Sequence, residues 1–337
     1  MINLNILNKA QKKAVTTLNG PILCIAGAGS GKTTALTYRV ANLIENGVSP
    51  SSILLLTFTK KAAYEMLLRV NALVGVKGNE VEGGTFHHFA ATTLSKYGNK
   101  LGISKNFTVI DDNDSADIIY SLKQTNNENL RSFTIPNKKN IIFQIISRAR
   151  NHELDFKKII SSSYTNLNIS PEGIEFIYSE YDKYKRNNNL LDYDDLLEYL
   201  YRLLLITEYK NLLSEQYKYI MVDEYQDTNI IQARITYLLS EINQNIMVVG
   251  DDAQSIYSFR GGRIENIKEF SKQFPNAQII KLEQNYRSYG NILEGCNNLI
   301  KHSKECIQKK LVTDKIPGNK IAIVKCISEK EEASFII

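Results

Sequence analysis

A short apolar run at residues 22–26 leads directly into a glycine-rich segment that ends in Gly31-Lys32-Thr33. This segment follows the phosphate-binding pattern G-x-x-x-x-G-K-[ST], except that Ala26 stands where the first glycine is expected. A helical pattern follows the lysine and the threonine. This order predicts a loop in which successive backbone N–H groups point inward at the N-terminus of a helix.

The loop has the composition needed to bind the phosphates of a nucleotide. Its glycines let the backbone pass close to phosphate oxygens, and Lys32 can neutralise the β- and γ-phosphates. The Thr33 hydroxyl is a hard oxygen ligand that suits Mg²⁺. The alternative is a glycine-rich turn that binds nothing, and the order of the surrounding elements disfavours it. The predicted nucleotide-binding residues are Ala28, Gly29, Ser30, Gly31, Lys32, Thr33 and Thr34.

Three further apolar runs, at residues 53–57, 219–222 and 246–249, share the features of the first. Each is short, is apolar on both faces and is followed by a polar turn and a helical pattern. Strands of this kind are typical of a parallel sheet that helices cover on both sides. The sequence therefore predicts an α/β fold.

The segment from residue 90 to residue 189 has a different pattern. It contains few β-rich runs, and amphipathic helical periodicity covers residues 141–146 and 174–184. We expect residues 90–189 to form an all-helical domain that is inserted into the α/β domain.

The α/β domain is then made of two parts, residues 1–89 and residues 190–278. Additional strands are expected near residues 276–280 and at residues 321–324. We expect residues 279–337 to begin a further domain, with an exposed strand edge because the sheet there is incomplete.

Asp223 and Glu224 directly follow the apolar run at residues 219–222. Nucleotide hydrolysis needs a carboxylate that holds the metal and a group that orients the attacking water. Asp223, at the end of the strand, is suited to hold Mg²⁺ through water, and Glu224 is suited to polarise the attacking water. An Asp-Glu pair is usually part of a solvated loop, but its place after a buried strand favours the catalytic interpretation.

A second polar loop, at residues 250–261, follows the last of the three apolar runs. Gln254 in this loop can sense a γ-phosphate. Tyr257 and Phe259, together with Arg260, are suited to stacking on unpaired bases. The alternative is that these aromatic side chains belong to the protein core.

Charge, hydropathy and cysteine content narrow the class of protein. The excess of basic residues, 41 against 36 acidic ones, is mild and permits an anionic partner without identifying one. No apolar run approaches the about 20 residues that a membrane span needs, and residues 1–5 lack the pattern of a secretory signal. Cys24, Cys296, Cys306 and Cys326 lack metal-ligand spacing, so we expect reduced thiols in a cytoplasmic protein.

These motifs and several further segments resemble, in chain order, those of superfamily 1 helicases of the UvrD/PcrA/Rep type. The matching segments are residues 7–11, 26–34, 57–66, 85–87, 191–196, 223–228, 250–261 and 282–288. They span nearly the whole chain at the spacing of the family. The resemblance implies a RecA-like P-loop NTPase sheet with an inserted all-helical domain, followed at residues 279–337 by the start of a second RecA-like domain.

The resemblance also implies roles for residues around bound ATP. Gln11 would read the adenine edge, Tyr286 would stack on adenine and Arg39 would lie beside the base. Arg287 would contact the γ-phosphate and stabilise charge in the transition state, as an arginine finger does. The alternative for Arg287 is a surface salt bridge. The implied catalytic residues are Lys32, Asp223, Glu224, Gln254 and Arg287.

A track for single-stranded DNA is implied as well, along the segments at residues 57–66, 85–87 and 250–261. The DNA-contacting residues on this track are Phe58, Thr59, Thr85, His87, Tyr257, Phe259 and Arg260. Phe259 departs from the family, which usually has tryptophan at this position. Its smaller ring would stack on a base more weakly.

Motifs V and VI of the family, and its second inserted domain, have no counterpart after residue 288. We therefore expect the second RecA-like domain to be incomplete in this chain. One lobe cannot step along DNA, so the chain by itself is expected to bind ATP and to hydrolyse it weakly or not at all.

The function implied is that of an ATP-dependent helicase or translocase that moves 3′ to 5′ on DNA, with ATP and Mg²⁺ as cofactors. Two other functions stay open: an ATP-dependent adaptor that binds a protein without translocating, and the helicase half of a helicase–nuclease. The expected partners are single-stranded or partial duplex DNA, the remainder of the motor, and repair or replication proteins, without a membrane.

Overall fold

Parallel strands form the centre of the computed structural model, which describes residues 2–258, 261–303 and 306–337. The strands are β1 (Ile22–Ala26), β2 (Ile53–Thr57), β3 (Glu82–Thr85), β4 (Thr108–Val109), β5 (Leu190–Leu191), β6 (Tyr219–Val222), β7 (Ile246–Gly250) and β8 (Gln278–Leu282). Six of them form one sheet in the order β3-β2-β6-β7-β1-β8, and every neighbouring pair is parallel. β4 and β5 form a separate parallel ladder. The predicted α/β fold is confirmed.

Helices connect these strands and cover both faces of the large sheet. They are α1 (Lys9–Thr16), α2 (Lys32–Glu45), α3 (Lys60–Val74), α4 (Phe86–Tyr97), α5 (Asp112–Thr125), α6 (Asn127–Leu130), α7 (Lys139–His152), α8 (Phe156–Ser163), α9 (Pro171–Asn187), α10 (Tyr193–Leu204), α11 (Thr207–Gln216), α12 (Ile230–Ser240), α13 (Glu265–Gln273), α14 (Gly290–Ile300) and α15 (Glu329–Ile336).

The two faces of the sheet lie in two separate hydrophobic cores because side chains alternate along each strand. Leu23 and Ile25 of β1 belong to the core that α4, α10, α12 and α13 cover. Ile22 and Cys24 of the same strand belong to the core that α2 and α3 cover. β1, β2 and β7 are buried along their whole length, which explains why their sequences are apolar without alternation.

The helical part of the chain has a core of its own. Its buried residues run from Ile110 to Tyr181 and include Ile142 of α7 and Ile177 of α9. The two amphipathic helices predicted from periodicity are thereby confirmed. α4 instead packs into the core of the large sheet through Phe89. The helical core therefore lies inside the predicted insertion, whose limits at residues 90 and 189 remain predictions.

A cluster of buried charges joins the helical part to α10. Lys185 of α9 donates to Asp192 at 2.6 Å and to Asp195 at 2.5 Å, and Arg150 of α7 donates to Asp195 at 2.6 Å. The Tyr181 hydroxyl donates to Asp192 at 3.1 Å. The side chains of Lys185, Asp192 and Asp195 are at most 7% exposed. These charges are shielded from water, so they depend on one another for compensation.

Replacing Lys185 by methionine is expected to lower the free energy of unfolding by about 3–5 kcal/mol. The substitution keeps most of the side-chain volume but leaves Asp192 and Asp195 with less positive charge in a buried place. Lys183→Met is the matched control on the same helix, because the Lys183 side chain is 65% exposed. We expect this control to change stability by less than about 0.5 kcal/mol. Equal urea midpoints for the two variants would show that Lys185 does not stabilise the fold through the buried cluster.

The strand predicted near residues 276–280 is present as β8, but its place differs from the expectation. β8 pairs with β1 as the edge strand of the first sheet, in a register that runs from Ile22 opposite Gln278 to Ala26 opposite Leu282. Ile280 and Leu282 are 4% and 0% exposed in the core that α2 covers. Burial of these side chains favours addition to the existing sheet over the start of a second one.

The strand predicted at residues 321–324 is not formed. These residues adopt irregular structure, and Ile323 is 95% exposed. An apolar run becomes a strand only where a neighbouring strand accepts its backbone hydrogen bonds. Residues 321–324 have no such neighbour in the part of the chain that the structure describes.

In the described ranges, no helix combines the length and the apolar character needed to cross a bilayer.

The four cysteines are free thiols. Burial raises the pKa of Cys24 to about 12, so this thiol stays protonated at neutral pH.

Candidate nucleotide site and nucleic-acid groove

The glycine-rich segment forms a tight loop between the end of β1 and the start of α2. Gly29 and Gly31 have φ angles of +70° and +80°, which side chains with a Cβ rarely adopt. A Cβ at Gly31 would also lie 2.4 Å from the Gln11 amide nitrogen. The N-terminus of α2, which begins at Lys32, has no side-chain cap among the described residues. Its first N–H groups, including those of Thr33 and Thr34, are therefore suited to an anion such as phosphate.

Lys32 and Glu224 face each other across this loop. The Lys32 Nζ lies 2.6 Å from the Glu224 Oε2, and the two side chains are 11% and 35% exposed. Glu224 follows β6 with a φ of +50°, a conformation that is uncommon for non-glycine residues. Gln226 donates to the same carboxylate oxygen at 2.9 Å. A phosphate group that binds Lys32 must compete with the Glu224 carboxylate for the ammonium group of this lysine.

Asp223 provides an oxygen that is suited to a divalent cation. It is 5% exposed, and its Oδ1 has no hydrogen-bond partner in the described part of the molecule. Burial and the neighbouring Glu224 raise the pKa of Asp223 to about 7, although Lys32 opposes the shift. A divalent cation would reverse that shift by its own charge.

Thr33 and Asp223 line one cavity of about 370 Å³. No group of three or more His, Cys, Asp or Glu side chains in the described ranges is arranged to hold a metal. Mg²⁺ commonly takes only one or two protein oxygens and completes its shell with phosphates and water. The predicted pair of Thr33 and Asp223 fits that requirement.

Gln254 lines the same cavity, and its role as a phosphate sensor remains a prediction. Its amide donates to the Asp251 carboxylate, and its backbone N–H donates to the Asp251 carbonyl at 2.9 Å. The side chain is therefore held by the loop that follows β7. Thr33, Asp223, Glu224 and Gln254 are brought together here although they come from three different strand–helix connections.

Gln11 and Tyr286 both donate hydrogen bonds to the backbone of the loop. Gln11 is 3% exposed and donates to the Ser30 carbonyl at 3.0 Å. Tyr286 is 48% exposed, its hydroxyl accepts from Asn8, and its backbone N–H donates to Gly29 at 2.9 Å. Both residues are placed beside the loop, while their contacts with adenine remain predictions.

Arg39 lies away from this surface. It is 0% exposed and donates to the carbonyls of Ala14 at 2.8 Å, Leu18 at 3.1 Å and Thr17. Burial lowers its pKa to about 10. The guanidinium thus fixes the end of α1 on α2 and is fully buried in this structure. Its contact with adenine remains a prediction.

Arg287 is held next to the loop by Asn285. A Cβ at Gly29 would lie 2.6 Å from the Arg287 Cβ, so this close approach requires glycine. Asn285 is 2% exposed, donates to the Ala28 carbonyl at 2.6 Å and accepts from the Arg287 N–H at 2.9 Å. Arg287 itself is exposed, and its contact with a γ-phosphate remains a prediction.

A groove of about 710 Å³ separates the helical part from the sheet domain. Phe58, Thr59, Thr85 and His87 line it from the sheet domain, and their contacts with DNA remain predictions. Thr59 and Thr85 also cap α3 and α4 through their hydroxyls. α7 contributes a polar face that includes Asn140, Gln144, Ser147 and Arg148, which the sequence pattern did not single out.

Two pairs of aromatic rings include side chains that line this groove. The Phe58 and Tyr257 rings are 5.1 Å apart, and the His87 and Tyr193 rings are 5.5 Å apart. Burial lowers the pKa of His87 to about 4, so its imidazole is neutral at physiological pH. Phe259 and Arg260, which were also predicted to contact DNA, lie outside the described residues.

Two buried polar residues of the site, Gln226 and Asn285, were missed by sequence reasoning. Both stand next to residues that were selected, in the segments at residues 223–228 and 282–288. Gln226 is 1% exposed and joins Glu224 to the loop after β7 through the Asp251 N–H. An amide beside a catalytic carboxylate was the available signal, but its partners are distant in sequence.

Family models match almost the whole chain. The UvrD/REP helicase N-terminal domain matches residues 7–275, and the UvrD-like helicase C-terminal domain matches residues 280–337. The two matches meet close to β8, the last strand of the sheet.

Individual relatives match over the same length. A probable DNA helicase II homolog of Rickettsia felis is 41% identical over 337 residues, which are 99% of this chain and 50% of that protein. DNA helicase II of Rickettsia typhi is 42% identical over 340 residues, with coverage of 99% and 50%. ATP-dependent DNA helicase PcrA of Staphylococcus aureus is 38% identical over 336 residues, with coverage of 99% and 45%. The chain spans about half the length of these relatives.

Proposed function

The chain belongs to the UvrD/REP helicase family, and we propose that it forms the ATP-binding part of an ATP-dependent DNA helicase or translocase. The observation that carries this proposal is a shared wall between the nucleotide cavity and the groove. Phe58, Thr59 and Asp227 line both. A rearrangement around the nucleotide phosphates therefore acts on side chains that contact DNA.

The proposed chemistry assigns one task to each group of residues. Mg²⁺, when bound, would supply positive charge that offsets the negative charge of the nucleotide phosphates. The loop N–H groups and Lys32 hold the phosphates, and Thr33 and Asp223 hold the metal. Lys32 leaves the Glu224 carboxylate when it binds phosphate, and Glu224 is then free to orient the attacking water. Gln254 and Arg287 contact the γ-phosphate.

The chain spans about half the length of the relatives it matches, so movement along DNA is proposed for the whole motor. We propose that a complete second RecA-like domain closes on the nucleotide and that the motor moves 3′ to 5′, as the family resemblance implies. Single-stranded or partial duplex DNA is then the substrate, with repair or replication proteins as partners. The four free thiols are in keeping with a cytoplasmic place of action.

Phe58→Ala tests the DNA assignment. Loss of a ring that stacks on a base costs about 1–3 kcal/mol, so the Kd for a labelled oligothymidylate is expected to rise about 5- to 150-fold. Tyr184→Ala is the matched control, because Tyr184 is 39% exposed on α9 and lies outside the residues that line the groove. Fluorescence anisotropy measures both affinities. Equal affinities in the two variants would remove Phe58 from the DNA track.

ATP turnover by the full-length protein, measured with and without the oligonucleotide, tests the function as a whole. We expect turnover to rise with DNA, and we expect Phe58→Ala to need more DNA for the same rise. Turnover that is indifferent to DNA would contradict a motor and would favour the adaptor function.

A further inference from the structure

Lys309 lies buried against the loop that follows β7. Its Nζ is 2.5 Å from the Asp251 Oδ1 and also contacts the Asp252 Oδ1. The three side chains are 4%, 4% and 0% exposed. Burial acts to lower the pKa of Lys309, but hydrogen bonds to both carboxylates outweigh it and raise the pKa. The lysine is therefore charged at neutral pH, and the two acidic side chains offset the cost of burying its ammonium group.

Asp251 connects this lysine to the nucleotide cavity. Its second carboxylate oxygen accepts from the Gln254 amide. Its backbone N–H donates to Gln226 at 3.0 Å, and Gln226 donates to Glu224 at 2.9 Å. Asp251 thus connects Lys309 to Gln254 through its carboxylate, and its backbone N–H connects to Glu224 through Gln226.

The segment that carries Lys309 also contacts the phosphate loop. A Cβ at Gly27 would lie 2.3 Å from the Leu311 Cδ2, so the leucine packs directly on that glycine. The Asn297 side chain holds the Leu311 backbone through hydrogen bonds of 2.8 and 3.0 Å. Residues 307–312 therefore extend from the phosphate loop to the loop after β7. They belong to the part that matches the UvrD-like C-terminal domain.

We propose that Lys309 is a positioning residue for Gln254 and that it acts through Asp251. The proposal rests on the proposed function, because it takes Gln254 to contact the γ-phosphate. The ammonium group fixes one oxygen of Asp251 and leaves the other directed at the Gln254 amide. The C-terminal segment thereby sets the orientation of a γ-phosphate sensor that belongs to the N-terminal part.

Lys309→Met in the full-length protein tests this role. With DNA saturating, we expect kcat for ATP turnover to fall at least about 10-fold, since small misplacements of catalytic groups have large effects on rate. The KM for ATP should change less than about 3-fold, because the phosphate loop and Lys32 are retained. Lys310→Met is the matched control, since the neighbouring Lys310 is exposed, and its kcat should equal that of the wild type. Lys309→Arg, which keeps the charge, should recover part of the loss.

A double substitution separates positioning from a general structural effect. Because Lys309 is proposed to act through Gln254, adding Lys309→Met to Gln254→Ala should lower kcat no further than Gln254→Ala alone. If Lys309→Met does not fold, Asp251→Asn takes its place. It retains an oxygen for Gln254 but removes the attraction to Lys309, and the same pair of results is expected.

Two outcomes overturn the inference while the proposed function stands. One is a folded Lys309→Met protein with wild-type kcat, and the other is a loss that multiplies with the loss caused by Gln254→Ala. A wild-type protein without any DNA-dependent turnover is a different result, since it overturns the proposed function and, with it, the role of Lys309.

Discussion

Replacing Glu224 by glutamine is expected to lower kcat for ATP turnover by at least about 100-fold while nucleotide binding persists. The amide has nearly the same shape as the carboxylate but cannot accept a proton from the attacking water. Glutamine also removes the ion pair at 2.6 Å with Lys32. The lysine is then freed for the phosphates, so the Kd for ATP should stay the same or become lower. Single-turnover hydrolysis and equilibrium binding of a fluorescent ATP analogue measure the two effects.

Glu172→Gln serves as the control for the Glu224 experiment, because Glu172 is an exposed carboxylate on α9. We expect it to change neither kcat nor Kd. If Glu224→Gln turned over ATP at more than about a tenth of the wild-type rate, another group would have to orient the water. Asp227 would be the first candidate, since it lines the same cavity and its Oδ1 has no hydrogen-bond partner among the described residues.

The parts of the fold that could be predicted are those that local pattern determines. β1, β2, β6 and β7 are short runs buried on both faces, and such runs have few alternatives to a central parallel strand. Gly29 and Gly31 mark the phosphate loop because a Cβ would be strained at both positions. The order of these motifs then brings Lys32, Asp223, Glu224 and Gln254 to one edge of the sheet.

The rest could not be predicted because it depends on partners that are distant in sequence. An apolar run becomes a strand only beside a neighbouring strand. β8 pairs with the edge of β1, whereas residues 321–324 pair with no strand among the described residues. Arg39 matches the family pattern, yet its guanidinium is used by three carbonyls at the end of α1. Lys309 follows no motif that was recognised, and only the folded chain brings it to Asp251.

Lys32→Ala is expected to abolish ATP binding at concentrations that saturate the wild type, with a rise in Kd of more than about 100-fold. Two effects add. The substitution removes charge-assisted hydrogen bonds to phosphate, which contribute about 1.5–3 kcal/mol each. It also removes the positive charge that pairs with the Glu224 carboxylate. The negative charge of Glu224 then repels the incoming phosphates. Lys61→Ala is the control, since Lys61 is exposed on α3 and should leave binding unchanged.

The second effect has its own test. If repulsion from Glu224 contributes, then Lys32→Ala combined with Glu224→Gln should bind ATP more tightly than Lys32→Ala alone. A double-mutant cycle on the Kd of a fluorescent ATP analogue gives the size of this coupling. A cycle without coupling would mean that the lysine acts on phosphate alone and that the ion pair with Glu224 does not oppose binding. Wild-type affinity of Lys32→Ala for ATP would exclude the loop at the end of β1 as the nucleotide site.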